Sequence, residues 1–311
     1  RTRIKTYTIF YSKIGTGNKK SMLTYNQSEN LFPHFILAGF PKCGTTSIAK
    51  YLEMHPSICF SKPKEPNFFL ANGNYSSETW EEYSKCFDHW KNHQMRGEGS
   101  QRYTQRDRYP NVAQDIYRNL PSTKLIFVAR HPIKRFVSHF KYVDRDANLK
   151  ISINDTLKYQ WLVKKCVNTS KYFYQIDPYL RLFPRENIWI GFYEDFVEDK
   201  ETFFSNLFDF LQINYYLHSE DIKLNTAADP PRNSALYETL NKNSVYNFIK
   251  GFIPLNLRDQ YRNFLKIRFN QTKKYQMRED FIERLENEFY EDSQYFLQLA
   301  GKKPDFWKLN Y

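Results

Sequence analysis

An apolar run that passes through a phosphate-sized loop into a helical pattern constrains this chain more than any other stretch. The run is Phe35-Ile36-Leu37-Ala38-Gly39-Phe40, the loop is Pro41-Lys42-Cys43-Gly44, and Thr45-Thr46-Ser47 opens the next element. Phe35 to Phe40 has the length and apolar continuity of a buried strand. Ile48, Ala49, Tyr51, Leu52 and Met54 recur at helical spacing, and the segment closes at His55-Pro56. The loop therefore lies at a helix N-terminus, where unpaired backbone N–H groups meet the positive end of the helix dipole. There the hydroxyls of Thr45, Thr46 and Ser47 add donors for a bound phosphate.

The spacing Gly39-x-x-x-x-Gly44-Thr45-Thr46 departs from a Walker A loop at one position, because Thr45 replaces the lysine after the second glycine. A nucleoside triphosphatase needs that lysine on the β and γ phosphates and a hydroxyl on magnesium. Here Lys42 precedes Gly44, where it reaches the side of a single phosphate or the bond beyond it. A P-loop kinase using ATP and magnesium is disfavoured on this ground. No His/Cys set has zinc spacing and no second acidic motif suits magnesium, so the expectation is a metal-independent reaction.

Further elements alternate along the chain. Glu78 to Trp90 reads as an amphipathic helix after Ser76-Ser77, with Trp80, Tyr83, Phe87 and Trp90 on one face. Val112 to Leu120 is a second helix ended by Pro121, and Lys124 to Arg130 has the form of a buried parallel strand. Arg130-His131-Pro132 leads into a helix carrying Arg135, Phe136, Ser138 and Phe140. Asn187 to Phe192 supplies another strand, Glu201 to Leu211 another helix, and Arg278 to Ala300 a long helix with Phe281, Leu285, Phe289 and Phe296 on one face. Strands alternating with helices predict an α/β fold, a P-loop-like parallel sheet flanked by helices on both faces. Ligands of such sheets bind beyond the carboxyl ends of the strands, where the Lys42 loop and Arg130 both lie.

The string Pro41-Lys42-Cys43-Gly44-Thr45-Thr46-Ser47, followed by His55-Pro56 and Lys64-Glu65-Pro66-Asn67-Phe68-Phe69, resembles the sulfotransferases that use 3′-phosphoadenosine 5′-phosphosulfate (PAPS). It looks closest to the branch with the heparan sulfate and bacterial carbohydrate sulfotransferases. The resemblance runs from about Phe32 to the C-terminus, so residues 1–31 are read as an N-terminal extension and 32–311 as one sulfotransferase domain. It implies that Lys42 stabilises the leaving phosphate, with Cys43, Gly44, Thr45, Thr46 and Ser47 around the 5′-phosphate. Arg130 and Ser138 match the family's 3′-phosphate motif, in which a guanidinium holds phosphate oxygens bidentately and a hydroxyl adds a donor. Glu65 falls in the segment that carries the general base of glycosaminoglycan sulfotransferases. Gly97-Glu98-Gly99-Ser100-Gln101-Arg102-Tyr103 resembles an acceptor-lining segment, which makes Glu98 the alternative base and Arg102 and Tyr103 acceptor contacts. Arg232, in the Pro-marked loop Asn225 to Ser234, lies where the family folds a segment over the nucleotide. The family's lysine in place of Gly99 is missing, as is the disulfide-closed loop of the 3-O-sulfotransferases.

The expected reaction moves sulfate from PAPS to a hydroxyl or an amine, leaving adenosine 3′,5′-bisphosphate (PAP). A formal charge of +12 favours an anionic carbohydrate acceptor over a neutral steroid or phenol. A small-molecule acceptor, or an inactive polyanion-binding protein, are the other readings; nucleic acid is not the expected partner, and the sequence sets no oligomeric state. Five Asn-x-Ser/Thr sequons, at Asn26, Asn74, Asn154, Asn168 and Asn270, suit a secretory glycoprotein. The expectation is a Golgi lumenal domain with a membrane anchor removed upstream of Arg1, the cytoplasm being the alternative. Four cysteines, at 43, 59, 86 and 166, do not settle the redox compartment.

Overall fold

Strand β1, Phe35–Gly39, has all five residues buried and forms the middle of a parallel sheet. The computed structural model describes residues 33–147, 149–218 and 275–309, so the expected extension 1–31, the sequons at Asn26 and Asn270, and Arg232 lie outside the described residues. From β1 the chain runs through helix α1 (Thr45–Met54), strand β2 (Ile58–Phe60), helix α2 (Ser77–Lys85), strand β3 (Met95–Glu98) and helix α3 (Val112–Asn119). Strand β4 (Lys124–Ala129), helix α4 (Pro132–Ala147), the single turn α5 (Gln160–Leu162) and helix α6 (Tyr172–Leu180) follow. Strand β5 (Ile188–Phe192), helices α7 (Tyr193–Glu198) and α8 (Lys200–Leu211), and the long helix α9 (Glu279–Leu299) are the remaining elements among the described residues.

The strand order is β2-β3-β1-β4-β5, and every pairing is parallel. The chain leaves β1 toward one edge, returns, and crosses to the other, so its direction of winding reverses beside β1. A ligand crevice opens at such a point, beyond the carboxyl ends of the strands. Helices cover both faces, as the alternation of β5 shows. Its Trp189 packs on Phe203 of α8 with ring centroids 5.2 Å apart, whereas Phe192 packs on Phe296 of α9 at 6.0 Å. An odd residue spacing along a strand puts these two on opposite faces.

Two short strands were not foreseen. β2 has three residues, and β3 reads Met-Arg-Gly-Glu, without the apolar continuity that marks β1 and β4. It pairs closely with β1 because Gly97 lies under the ring of Phe35, where an added Cβ would come within 2.0 Å of Cζ. The helix expected over 78–90 also stops early, at Lys85. The Cys86 carbonyl accepts the Lys62 N–H at 2.9 Å, so a tertiary bond takes the place of helix continuation. At the other end Ser76 and Thr79 form a capping box, which explains the start.

β3 ends in a fully buried carboxylate. Glu98 Oε1 accepts the hydroxyls of Tyr83 and Tyr103, each at 3.0 Å, and Oε2 accepts that of Ser100. The Ser100 and Tyr103 oxygens in turn accept the backbone N–H groups of Asn67, at 3.0 Å, and Phe69, at 3.2 Å. Glu98 and Tyr103, expected on the acceptor cleft, are thus core residues that brace the 65–69 segment from behind, while Arg102 between them is exposed. Burial raises the Glu98 carboxyl from 4.5 to about 7 against the pull of its three hydroxyl donors.

A folded-state pKa above the unfolded one contributes stability that is complete at low pH and is lost as pH rises through the folded value. Between pH 4.5 and about 7, Glu98 therefore subtracts on the order of 3 kcal/mol from the folding stability. Denaturant unfolding at about pH 5 and about pH 8 should show the parent losing stability that Glu98→Gln retains. Parallel losses in the two proteins would mean that this carboxyl does not titrate in the folded core.

Candidate active site

The loop after β1 is shaped by two left-handed positions, Lys42 at φ 72° and Gly44 at φ 81°. Gly44 is demanded twice, since a Cβ there would also lie 2.6 Å from Cδ2 of Tyr193. Gly44 caps α1 with no side chain, so no side-chain acceptor occupies the first-turn N–H groups. Of the three hydroxyl residues, Thr45 is buried, Ser47 half-buried and Thr46 exposed. Cys43 turns the other way. Its Sγ lies 3.8 Å from the Pro41 carbonyl oxygen and 3.7 Å from the Tyr172 hydroxyl, and burial pushes its thiol up to about 12.

The loop is held from beneath by Arg135, a fully buried residue of α4. Its Nε donates to the Pro41 carbonyl at 3.0 Å. One terminal nitrogen reaches the Cys166 carbonyl and Ser170 Oγ, both at 3.0 Å, and Thr169 Oγ1 at 2.5 Å; the other meets His139 Nδ1 at 2.7 Å. Among the described residues no carboxylate pairs with it.

Arg130 leaves the end of β4 beside this loop. Its guanidinium lies 4.8 Å over the ring of Tyr193, the same ring that rests against Gly44. Tyr193 follows β5 directly, and so one aromatic wall joins the loop to Arg130. Arg130 Nε is buried and has no hydrogen-bond partner in the described structure. Nearby, His131 N–H donates to Glu194 Oε1 at 2.9 Å, while Glu194 Oε2, His131 Nδ1 and Trp307 Nε1 are buried without partners. Burial, then the charge of Lys134, lowers His131 to about 4. Buried polar atoms seldom stay unpaired, and an orphaned guanidinium nitrogen beside an uncapped helix start fits a doubly phosphorylated nucleotide. Ser138 is half-buried, two turns into α4.

Glu65 reaches the loop through two short chains of hydrogen bonds. Gln101 Nε2 donates to Glu65 Oε1 at 2.7 Å and its Oε1 accepts from Thr45 Oγ1 at 3.5 Å. Lys64 Nζ lies 3.3 Å from the same Glu65 oxygen and 3.5 Å from Thr46 Oγ1. Burial lowers the Lys64 ammonium, and the Glu65 charge opposes the shift. Across the loop, Lys42 Nζ stands 4.9 Å over the ring of Tyr142.

Lys42, Thr45 and Thr46 of the loop, Glu65 bonded to it through Gln101 and Lys64, and Arg130 after β4 therefore stand at the carboxyl end of the sheet. Cys43 offers it only backbone, and Arg102 has no described contact with it. Tyr193 and Gln101 carry no motif of their own. Tyr193 was legible only by position, at a strand's carboxyl end like Lys42 and Arg130. No group of three or more His, Cys, Asp or Glu residues among those described could hold a metal ion, and no described helix is long and apolar enough to cross a membrane.

The sulfotransferase domain model matches residues 32–294. The membrane-associated sulfotransferase kil1 of Dictyostelium discoideum is 24% identical over 307 residues, covering 70% of this chain and 63% of its own. Carbohydrate sulfotransferase 15 of Homo sapiens is 37% identical over 65 residues, or 18% of this chain and 12% of its own. This chain thus spans less than two thirds of either relative. Among solved structures, a sulfotransferase from Alicyclobacillus acidocaldarius superposes with a TM-score of 0.63 at 20% identity, covering 89% of this chain and 99% of its own. A domain match over most of the chain and a shared parallel-sheet fold place this protein in the sulfotransferase family.

Proposed function

We propose that this sulfotransferase moves a sulfuryl group from PAPS to a hydroxyl, or an amine, of a carbohydrate acceptor. The observation that carries the reading is the double link of Glu65 to the loop, through Gln101 and Thr45 and through Lys64 and Thr46. It sets a carboxylate beside a phosphate cradle, as in-line transfer requires. The brief 65-residue likeness to a carbohydrate sulfotransferase supports the acceptor class.

In this mechanism the N–H groups of Gly44, Thr45 and Thr46 and the Thr45, Thr46 and Ser47 hydroxyls hold the 5′-phosphate, with the Cys43 backbone beside them. Arg130 and Ser138 hold the 3′-phosphate, Arg232 being a further phosphate contact proposed outside the described residues. Glu65 takes the acceptor proton as the new O–S bond forms. The bond from sulfur to the phosphate oxygen breaks, and Lys42 with the α1 N-terminus meets the charge that develops there. Lys64 and Gln101 fix the direction of the Glu65 carboxylate. No step calls for a metal ion. Glu98 and Tyr103 serve this site by bracing the Glu65 segment, and Arg102 is a candidate acceptor contact at the rim. Golgi lumen is the compartment proposed; of the three sequons among the described residues, Asn74 is the exposed one and the best placed for a glycan.

Lys42→Ala should lower transfer of label from PAPS at least a hundredfold (about 3 kcal/mol) while melting like the parent; more than about a tenth of normal activity would remove Lys42 from the mechanism. In titrations, Arg130→Ala should weaken PAP at least tenfold (about 1.4 kcal/mol) and adenosine 5′-monophosphate little. Equal losses would detach Arg130 from the 3′-phosphate. Glu65→Gln should depress kcat about a hundredfold with PAP affinity intact, and a defect confined to nucleotide binding would sink its role as base.

A further inference from the structure

We infer that an anionic glycan acceptor is received on the face beside Lys42 formed by Tyr142 and Arg145 of α4 together with Trp161, Lys164 and Lys165. The inference rests on the proposed transfer at Lys42 and specifies the charge and the path of its acceptor.

Arg135 brings the two halves of this face together. The carbonyls of Pro41 and Cys166 accept from one guanidinium, each at 3.0 Å, so the residues next to them, Lys42 and Lys165, are held alongside each other. His139 bonds to that same guanidinium, and after burial and the Arg135 charge, Lys42 and Lys165 both help to push it well below its usual range. The segment that delivers Lys164 and Lys165 is a single π-helical turn, Val163–Val167. Such turns widen the helix and re-aim side chains, often at functional sites. Both lysines are exposed, and among the described residues neither has an ion-pair partner.

Two aromatic residues are exposed, Tyr142 beside Lys42 and Trp161 three and four residues before Lys164 and Lys165, on their side of the turn. Tyr142 is 39% exposed and carries Lys42 over its ring, 4.9 Å from the centroid, and Arg145 at 5.6 Å; Trp161 is 45% exposed. An exposed indole beside two exposed lysines is matched by a sugar ring, which offers an apolar C–H side, carrying carboxylate or sulfate groups. A neutral phenol would leave the lysines unanswered. A nucleic acid would answer the charges, but it has no need to pass Lys42, where the hydroxyl that receives the sulfuryl group must arrive.

The test uses a labelled sulfated uronate oligosaccharide and, separately, a single-stranded oligodeoxynucleotide of matched charge. Four proteins are compared: the parent, Trp161→Ala, Lys164→Ala/Lys165→Ala, and the charge-matched pair Lys85→Ala/Lys91→Ala near the β2 edge. At about 0.1 M salt the Lys164/Lys165 pair should weaken the oligosaccharide about tenfold and flatten its salt dependence. Trp161→Ala should weaken it about fivefold, and the control pair less than twofold, with PAP affinity changed less than threefold throughout. Equal losses from both lysine pairs, or none from either, would overturn the proposal. So would an oligodeoxynucleotide that binds as tightly and depends on the same two lysines. If the parent binds the oligosaccharide through this pair but binds no PAP, the face stands and the donor reading falls.

Discussion

The rest of the site depends on a buried guanidinium. Arg135 is wholly enclosed and spends its donors on neutral acceptors: two carbonyls, two hydroxyls and an imidazole nitrogen. Burying a charge without a carboxylate partner is costly, and only a full set of hydrogen bonds makes it tolerable. Arg135 has that set, and its bonds tie two other segments to α4 and brace the helix itself. Pro41 sets the loop, Cys166 to Ser170 the turn beyond α5, and His139 the next turn of the same helix. Its positive charge also lies under the loop and the N-terminus of α1, where an ion-paired carboxylate would cancel part of the positive potential.

From that point the two halves of the crevice can be traced to the topology. β1 lies between β3 and β4, so the loops leaving β1 and β4 and the turn after β3 all open at one end of the sheet. β1 delivers Lys42 and the helix start, β4 delivers Arg130, and the turn after β3 delivers Gln101, which reaches both Thr45 and Glu65. β5 contributes Tyr193, the ring that separates Gly44 from Arg130. Behind Glu65 the hydroxyls gathered by Glu98 anchor Asn67 and Phe69. The bracing is therefore polar on both sides, guanidinium under the loop and carboxylate under the opposite segment.

Much of this was legible in the sequence. β1, α1, β4 and the long C-terminal helix carry strong apolar runs or periodicity, and the Lys42 loop and Arg130 stand at the ends of two of them. β2 and β3 were not legible, because three residues are too few for a pattern and Gly97 is chosen for the ring of Phe35 above it rather than for strand propensity. Glu98 shows the limit of motif reading. Its segment resembles an acceptor wall, yet whether a carboxylate faces solvent or three hydroxyls is decided by Tyr83, brought to it by α2, and sequence spacing does not reveal that pairing. The sequence puts Arg135 on its helix but shows no task for it, because all of its partners except His139 come from distant segments of the chain.

The direction taken by Cys43 has a consequence for the environments in which the loop keeps its shape. A sulfur at the mouth of a phosphate site would ordinarily be exposed to oxidants and alkylating agents. Here it is sealed against Tyr172 under the loop, and burial holds the thiol protonated at neutral pH, so the thiolate that reacts is scarcely present. Oxidants reach that sulfur only when the core opens. The loop after β1 is in this respect indifferent to redox poise, and its cysteine acts as a small apolar plug rather than a sensor.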